Sequence, residues 1–354
     1  MPEIRIIDRG RIDENDSAFP RAVQLPDGEI LCSYGVGGGP NVTGHTEFSS
    51  SADDGRTWRN RGVILERGTD PPSCNFLKLS LHADRRTIFA YGSRLYRSPG
   101  DKFGEGGSDV IFCTSTNAGQ SWSAPTVIET GLDGVQEVSF PIVPLETGRL
   151  LAPMATLPKG RLGERVLVFI SDDSGGTWPR SATVFHDPQG RRGFFEHKFT
   201  EFASGSILAT AWTVTLGTVE DLPDSYAIST DNGETWTPFR STGVGGQTMT
   251  PVSLGGNRLL VLYNKRAGNQ CIVMNLVEFS PDEWTIVHDG VLYDNTNRPL
   301  PGAGTWKGVD SFDDFAFGFP TAIPLANGQH LATYWSKERG VFGISWALLE
   351  IDWT

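Results

Sequence analysis

Ser51-Ala52-Asp53-Asp54-Gly55-Arg56-Thr57-Trp58 decides the reading of this chain, because its pattern, Ser-x-Asp-x-Gly-x-Thr-Trp, returns three more times. The second copy is Ser115, Asn117, Gly119, Ser121 and Trp122; the third is Ser171, Asp173, Gly175, Thr177 and Trp178; the fourth is Ser229, Asp231, Gly233, Thr235 and Trp236. Their tryptophans stand 64, 56 and 58 residues apart, and self-similarity at such a period marks a repeat architecture. Each residue type suits a tight turn between strands. The Asp or Asn side chain accepts from backbone amides, Gly supplies a positive φ, and Trp folds back as an apolar plug. These aspartates are therefore expected to build turns and not to carry chemistry. Ser280-Pro281-Asp282-Glu283-Trp284 reads as a worn fifth copy that has lost the glycine and the threonine.

Outward from the motif, long helical periodicity is missing, while short β-rich runs bounded by Gly, Pro, Asn and Asp recur throughout, so the class is all-β. One unit, an apolar strand, a turn and a second apolar strand, opens at Phe19 and closes at Tyr34. It reappears at Phe76 to Tyr91, Phe140 to Met154, Phe199 to Trp212, Met249 to Tyr263 and Phe319 to Trp335. After each of the first four units comes a third strand ending in the motif, then a fourth strand, which makes a four-stranded antiparallel meander. No linker interrupts residues 1–354, which read as one domain.

The motif resembles the Asp box (BNR repeat) of the sialidase (neuraminidase) superfamily, and the resemblance implies a six-bladed β-propeller. In such a ring the sixth unit runs out after its third strand, Val341 to Ile351, and Glu3 to Asp8 is expected to supply the missing outer strand and close the circle. The boxes lie on one face. The loops entering each first strand and those joining second to third strands then crowd the opposite face around the axis, where function is expected.

The net charge of −12, from 42 acidic against 30 basic residues, argues against nucleic acid or an anionic membrane surface as partner. A small carbohydrate is the expected substrate, and oligomeric state stays open. The amino terminus carries no apolar signal core and no run reaches the roughly 18 residues of a membrane span, so a cytoplasmic location is expected. Cys32, Cys74, Cys113 and Cys271 are scattered without metal-ligand spacing; they read as free buried thiols, and neither metal nor cofactor is implied.

The resemblance transfers unevenly. Sialidases hold a substrate carboxylate with three arginines, attack with a Tyr polarised by a Glu, and use an Asp as acid/base. Glu196-His197-Lys198-Phe199-Thr200-Glu201-Phe202 before Gly205 looks like the family's Glu lead-in to the fourth blade. Against the family's Arg-Ile-Pro opening, Pro20 puts Ala18, not Arg21, at the arginine position. Ala211-Trp212 stands where a second arginine is expected, and Phe319 falls at the Tyr position. The acid/base Asp is replaced by a segment from which His45 or Glu47 has to take over.

Glycosidic cleavage needs one group to protonate the leaving oxygen and another to activate water or attack the sugar. Glu196 with Asp310, Asp313 or Asp314 is the chosen carboxyl pair, Glu137 a reserve, and His45 a proton donor. Arg21, Arg94, Glu137, His197, Lys198, Gln247 and Arg266 are candidate substrate contacts, with Trp212, Trp306 and Trp335 as stacking platforms. A hydrolase of exo-acting type with a modified sialidase-like site is the leading reading, acting on another sugar than an ordinary retaining sialidase does. A true sialidase, a uronic-acid lyase centred on His45, and a non-catalytic sugar-binding propeller are the alternatives.

Overall fold

The computed structural model describes residues 1–97, 101, 104–218, 220–296 and 315–353. Six small antiparallel sheets follow one another along the chain and form a six-bladed β-propeller. The single helical turn among the described residues is the 3-10 turn Gly39–Asn41, and no helix is long and apolar enough to cross a membrane. In the first blade Ala18–Gln24 is the inner strand, followed outward by Ile30–Val36, His45–Ser51 and Arg59–Leu65. The inner strands of the second, fourth, fifth and sixth blades are Pro72–Leu81, Arg192–Ala203, Gln247–Ser253 and Phe317–Pro324. The first two strands of five blades thus match the expected units.

Glu3–Asp13 is the outer strand of the sixth blade. It pairs antiparallel with Val341–Asp352, from Glu3 opposite Asp352 to Asp13 opposite Ile344. The closure expected for residues 3–8 therefore holds and runs farther, and no ladder edge is left open between first and last blades.

All four copies of the motif fold alike. In the first, the Ser51 hydroxyl donates to Asp53 Oδ1 at 2.8 Å and accepts from the Gly55 amide at 2.9 Å. Asp53 Oδ1 and Oδ2 take the Thr57 amide and hydroxyl at 2.8 and 2.7 Å. Gly55 has φ +88, and a Cβ there would meet Leu331 Cδ1 at 2.9 Å, so glycine is required both by its backbone and by its neighbour. The tryptophans plug the gaps between blades: Trp122 packs on Phe48, Trp178 on Phe112 and Trp236 on Phe199. At the worn copy Trp284 still packs, on Tyr226, although the turn keeps a simpler set of bonds.

Around the axis every junction between consecutive blades is bridged by a side chain that donates to a neighbour's carbonyl. Ser33 Oγ gives to Leu77 O at 2.8 Å, Thr210 Oγ1 to Met249 O at 2.6 Å, Thr250 Oγ1 to Pro320 O at 2.7 Å, and Thr321 Oγ1 to Pro20 O at 3.4 Å. At the third blade the donors are lysines, with Lys78 Nζ on Val138 O at 2.5 Å and Lys198 Nζ on Ser139 O at 2.7 Å. That blade also departs from the expected regular unit. Its inner strand survives only as Gln136–Glu137 and Val143–Pro144, which pair with Thr156, Ala155, Leu151 and Leu150. Between them the second strand presents Pro153, which has no N–H to offer and whose carbonyl accepts from the Tyr91 hydroxyl at 3.0 Å.

Candidate active site

Four inner strands carry the same irregularity. The ladder slips between Ala18 and Arg21, Phe195 and Lys198, Gln247 and Thr250, and Gly318 and Thr321. At each slip one non-glycine residue takes the left-handed conformation: Phe19 at φ 58, Glu196 at 47, Thr248 at 56 and Phe319 at 51. A β-bulge re-aims side chains and a left-handed non-glycine residue costs about 1 to 3 kcal/mol. For β-branched Thr248 the conformation is an outlier. Four repeats of this strain around one axis are a reason to look there for function.

The bulges converge. Glu196 is buried; its amide donates to Glu137 Oε2 at 3.2 Å and its Oε2 accepts from the Thr248 hydroxyl. Lys198, two residues on, places its ammonium 3.7 Å over the Phe319 ring, while Lys78 lies 4.0 Å over Phe76 and 5.7 Å over Phe319. Phe19 meets Phe319 edge-on at 5.2 Å and Phe76 at 5.1 Å. The axis therefore has an aromatic side, from the first, second and sixth blades, and a charged side, from the second to fifth. Arg266 flanks the charged side. Its guanidinium stacks 3.8 Å over Phe315 and gives Nε and Nη2 to Phe317 O at 3.3 and 3.0 Å, leaving the buried Nη1 without a partner among the described residues. Arg21 crosses from the first blade to lie 4.9 Å over Phe140.

Burial sets the protonation of this cluster. Burial first, then the charge of Glu196, raise the Glu137 carboxyl to about 7, against the pull of Lys198 and Lys78. Glu196 is likewise raised by burial, with Lys198, Arg266 and Lys78 opposing. Burial lowers the Lys198 ammonium to about 7 although both glutamates favour its charge, and Lys78 is pushed well below its ordinary value by burial and by Lys198. Arg21 and Arg266 are lowered by burial to about 10 and keep their charge at neutral pH.

The structure thus brings together Glu196, Glu137, Lys198, Arg266 and Arg21. Gln247 is near by: its Nε2 donates to Asp221 Oδ2 at 2.7 Å, and the Trp212 indole donates to the other oxygen at 2.9 Å. Trp212 and Trp335, expected as stacking platforms, are instead core residues. Trp212 is wholly buried against Phe195 and Trp335 is 1% exposed against Phe342, because each indole fills a seam of the packed blades. His197 is also withdrawn from any sugar: the bulge turns it inward, fully buried edge-on to Phe199, and burial holds it neutral, well below the ordinary imidazole range. His45 pairs with Glu47 at 3.0 Å in the third strand of the first blade, and Arg94 faces Asp109 at 4.0 Å in the second. Trp306, Asp310, Asp313 and Asp314 lie outside the described residues.

Three members escaped the sequence reading: Lys78, Thr248 and Asp224. Lys78 had a signal, a lysine amid the apolar run Phe76-Leu77-Lys78-Leu79. Thr248 had none, since its role comes from the bulge. Asp224 is wholly buried, its carboxyl raised well above the ordinary range by burial and by the charges of Asp221 and Glu196.

No family model matches the chain. Over 248 residues it is 26% identical to a sialidase of Micromonospora viridifaciens, a match covering 62% of this chain and 36% of that protein. The likeness is to sialidases. The sialidase-like propeller also superposes on a Dyadobacter fermentans protein of unknown function with TM-score 0.77 and 23% identity over 99% and 100% of the two chains. It superposes on the intramolecular trans-sialidase of Ruminococcus gnavus with TM-score 0.64 and 12% identity, covering 95% and 94%. An α-L-arabinanase of Penicillium chrysogenum, solved with arabinobiose, gives TM-score 0.64 and 13% identity over 97% and 98%. These proteins share the propeller fold, and the chain spans about a third of the length of the Micromonospora sialidase.

Proposed function

We propose that this propeller is an exo-acting glycoside hydrolase whose reacting groups are Glu137 and Glu196 and whose substrate is an acidic sugar. The observation that carries the reading is the axial cluster, two buried carboxyls bedded among Arg21, Lys78, Lys198 and Arg266. Glu137, which keeps its proton up to about pH 7, is the acid for the leaving oxygen; Glu196, facing Lys198 and Arg266 and bonded by Thr248, is the group that attacks or activates water. Phe319 has no oxygen with which to form a tyrosyl-sugar bond, so the reaction does not take that route. Arg21 and Arg266 keep their charge at the axis, and a substrate carboxylate near Arg266 Nη1 would give an acceptor to a nitrogen that has none among the described residues. A place encircled by six inner strands also suits the end of a glycan better than its middle.

The test is a panel of 4-methylumbelliferyl glycosides comprising a sialoside, α- and β-uronosides, an α-L-arabinoside and neutral hexosides. Cleavage of an acidic glycoside, falling off as pH rises past about 7 with loss of the Glu137 proton, is the expected result. Turnover of neutral glycosides alone removes the acidic-substrate claim, and no turnover of any removes the hydrolase.

A further inference from the structure

The ring of bonds around the axis is uniform except at one blade. Hydroxyls bridge four junctions, and ammonium groups bridge the two that flank the third blade. The third blade is also where Pro153 breaks the inner ladder, and where Glu137 stands one residue before Val138 and two before Ser139. Both carbonyls lie in the stretch that the ladder has released. We propose that Lys78 and Lys198 are a pair of positioning residues that grip the Val138 and Ser139 carbonyls from either side and so hold Glu137 against the amide of Glu196.

A neutral donor would also reach a carbonyl, though it would hold it less strongly than a charged one does. What a lysine adds is length and charge. Lys78 reaches in from the second blade and Lys198 from the fourth, spanning the gap left by the broken strand, and each sets a basic group beside two carboxyls that burial would otherwise neutralise. The aromatic side of the axis serves the same end, since the Phe319 face receives the Lys198 ammonium at 3.7 Å. The groups acting on the brace are Glu137 and Glu196, which attract it, and Arg21 and His197 near Lys198, which do not; the two lysines also repel one another, and Arg266 and Asp224 interact with Glu196. Glu137 answers to both lysines and to Glu196. Removing one ammonium frees the segment 138–142 and strips a cation from Glu137 in the same step.

The catalytic meaning of the brace rests on the assignment of Glu137 and Glu196 as the reacting pair, but its test does not require turnover. Full-length protein carrying 13C-labelled glutamate carboxyls is titrated by NMR, with Glu137→Gln to assign the signal, and amide exchange of residues 138–142 is followed by mass spectrometry. In Lys198→Met the Glu137 midpoint is expected to move up by about one pH unit, a roughly tenfold change in its proton equilibrium, and the segment to exchange at least about tenfold faster. Lys198→Arg, which keeps a cationic donor, should lie closer to the parent in both. An unmoved midpoint, or exchange at the parent rate, overturns the proposal. Should Lys198→Met not fold, Lys78→Met reads the same two quantities at the other carbonyl, with a smaller shift because Lys78 acts less on Glu137. A glycoside panel that stays silent sinks the hydrolase and leaves these readouts standing.

Discussion

At the scale of single residues, the site is a problem of charge out of water. Asp224 states it most plainly, a wholly buried carboxyl whose proton is held by burial and by the charges of Asp221 and Glu196. Its folded-state pKa lies above the unfolded value of 3.8, so the folded protein binds the extra proton. Stability from this group is complete below that value and is lost as pH rises toward the folded pKa. Asp224→Asn, which copies the protonated shape, is expected to gain stability over the parent as pH rises from 5 to 8. Melting curves at the two pH values check it, and a constant difference would show that Asp224 is not the titrating group. Such residues were hard to read in the sequence because burial, not residue type, gives them their chemistry. Glu196 was legible from its neighbours in the chain. Glu137 was noticed only as a reserve, and Lys78 passed as an ordinary strand residue until the bond to Val138 placed it beside Glu137.

At the scale of elements, the turn motif was legible down to its atoms because its interactions are local: residue types four apart in sequence meet in the turn whatever surrounds them. In the fourth copy Asp231 accepts the Ser229 hydroxyl at 2.8 Å, the Thr235 amide at 2.9 Å and the Thr235 hydroxyl at 2.6 Å. Asp231→Ala is expected to lower stability by about 1 to 2 kcal/mol and to leave activity untouched, as chemical denaturation and a rate assay together measure. A variant that melts like the parent yet loses activity contradicts the structural role. The bulges at Phe19, Glu196, Thr248 and Phe319 were not legible, since nothing in Phe-Pro, Glu-His or Thr-Met announces a slipped register. They arise from the meeting of blades. The broken third inner strand was visible in principle, because Pro141, Pro144 and Pro153 crowd two paired strands, but the apolar pattern of Phe140 to Met154 concealed it. The same concealment made Trp212 and Trp335 look like platforms, when apolar strands of a propeller mostly face other blades.

At the scale of the whole molecule, six blades read from six strand pairs and one motif gave the architecture, and the shortage of a strand at one end called for the strand at the other. Glu3–Asp13 closes the sixth blade along nearly its full length, with Ile4 buried in the core of the last two blades. Deleting residues 1–13 should leave a ladder edge and an apolar seam in water, so the shortened chain is expected to aggregate or to lose its single cooperative melt. A soluble monomer melting within a few degrees of the parent would count against closure as a condition of stability. The molecule is acidic overall, at −12, while Arg21 and Arg266 keep their charge at its axis, a contrast in line with the acidic sugar proposed as substrate. The central claim is that Glu196 reacts there. Its most direct test is kcat/KM of Glu196→Gln on whichever glycoside the parent cleaves. The account predicts a fall of at least about 100-fold with the fold and melting temperature retained. A variant within about twofold of the parent would contradict it.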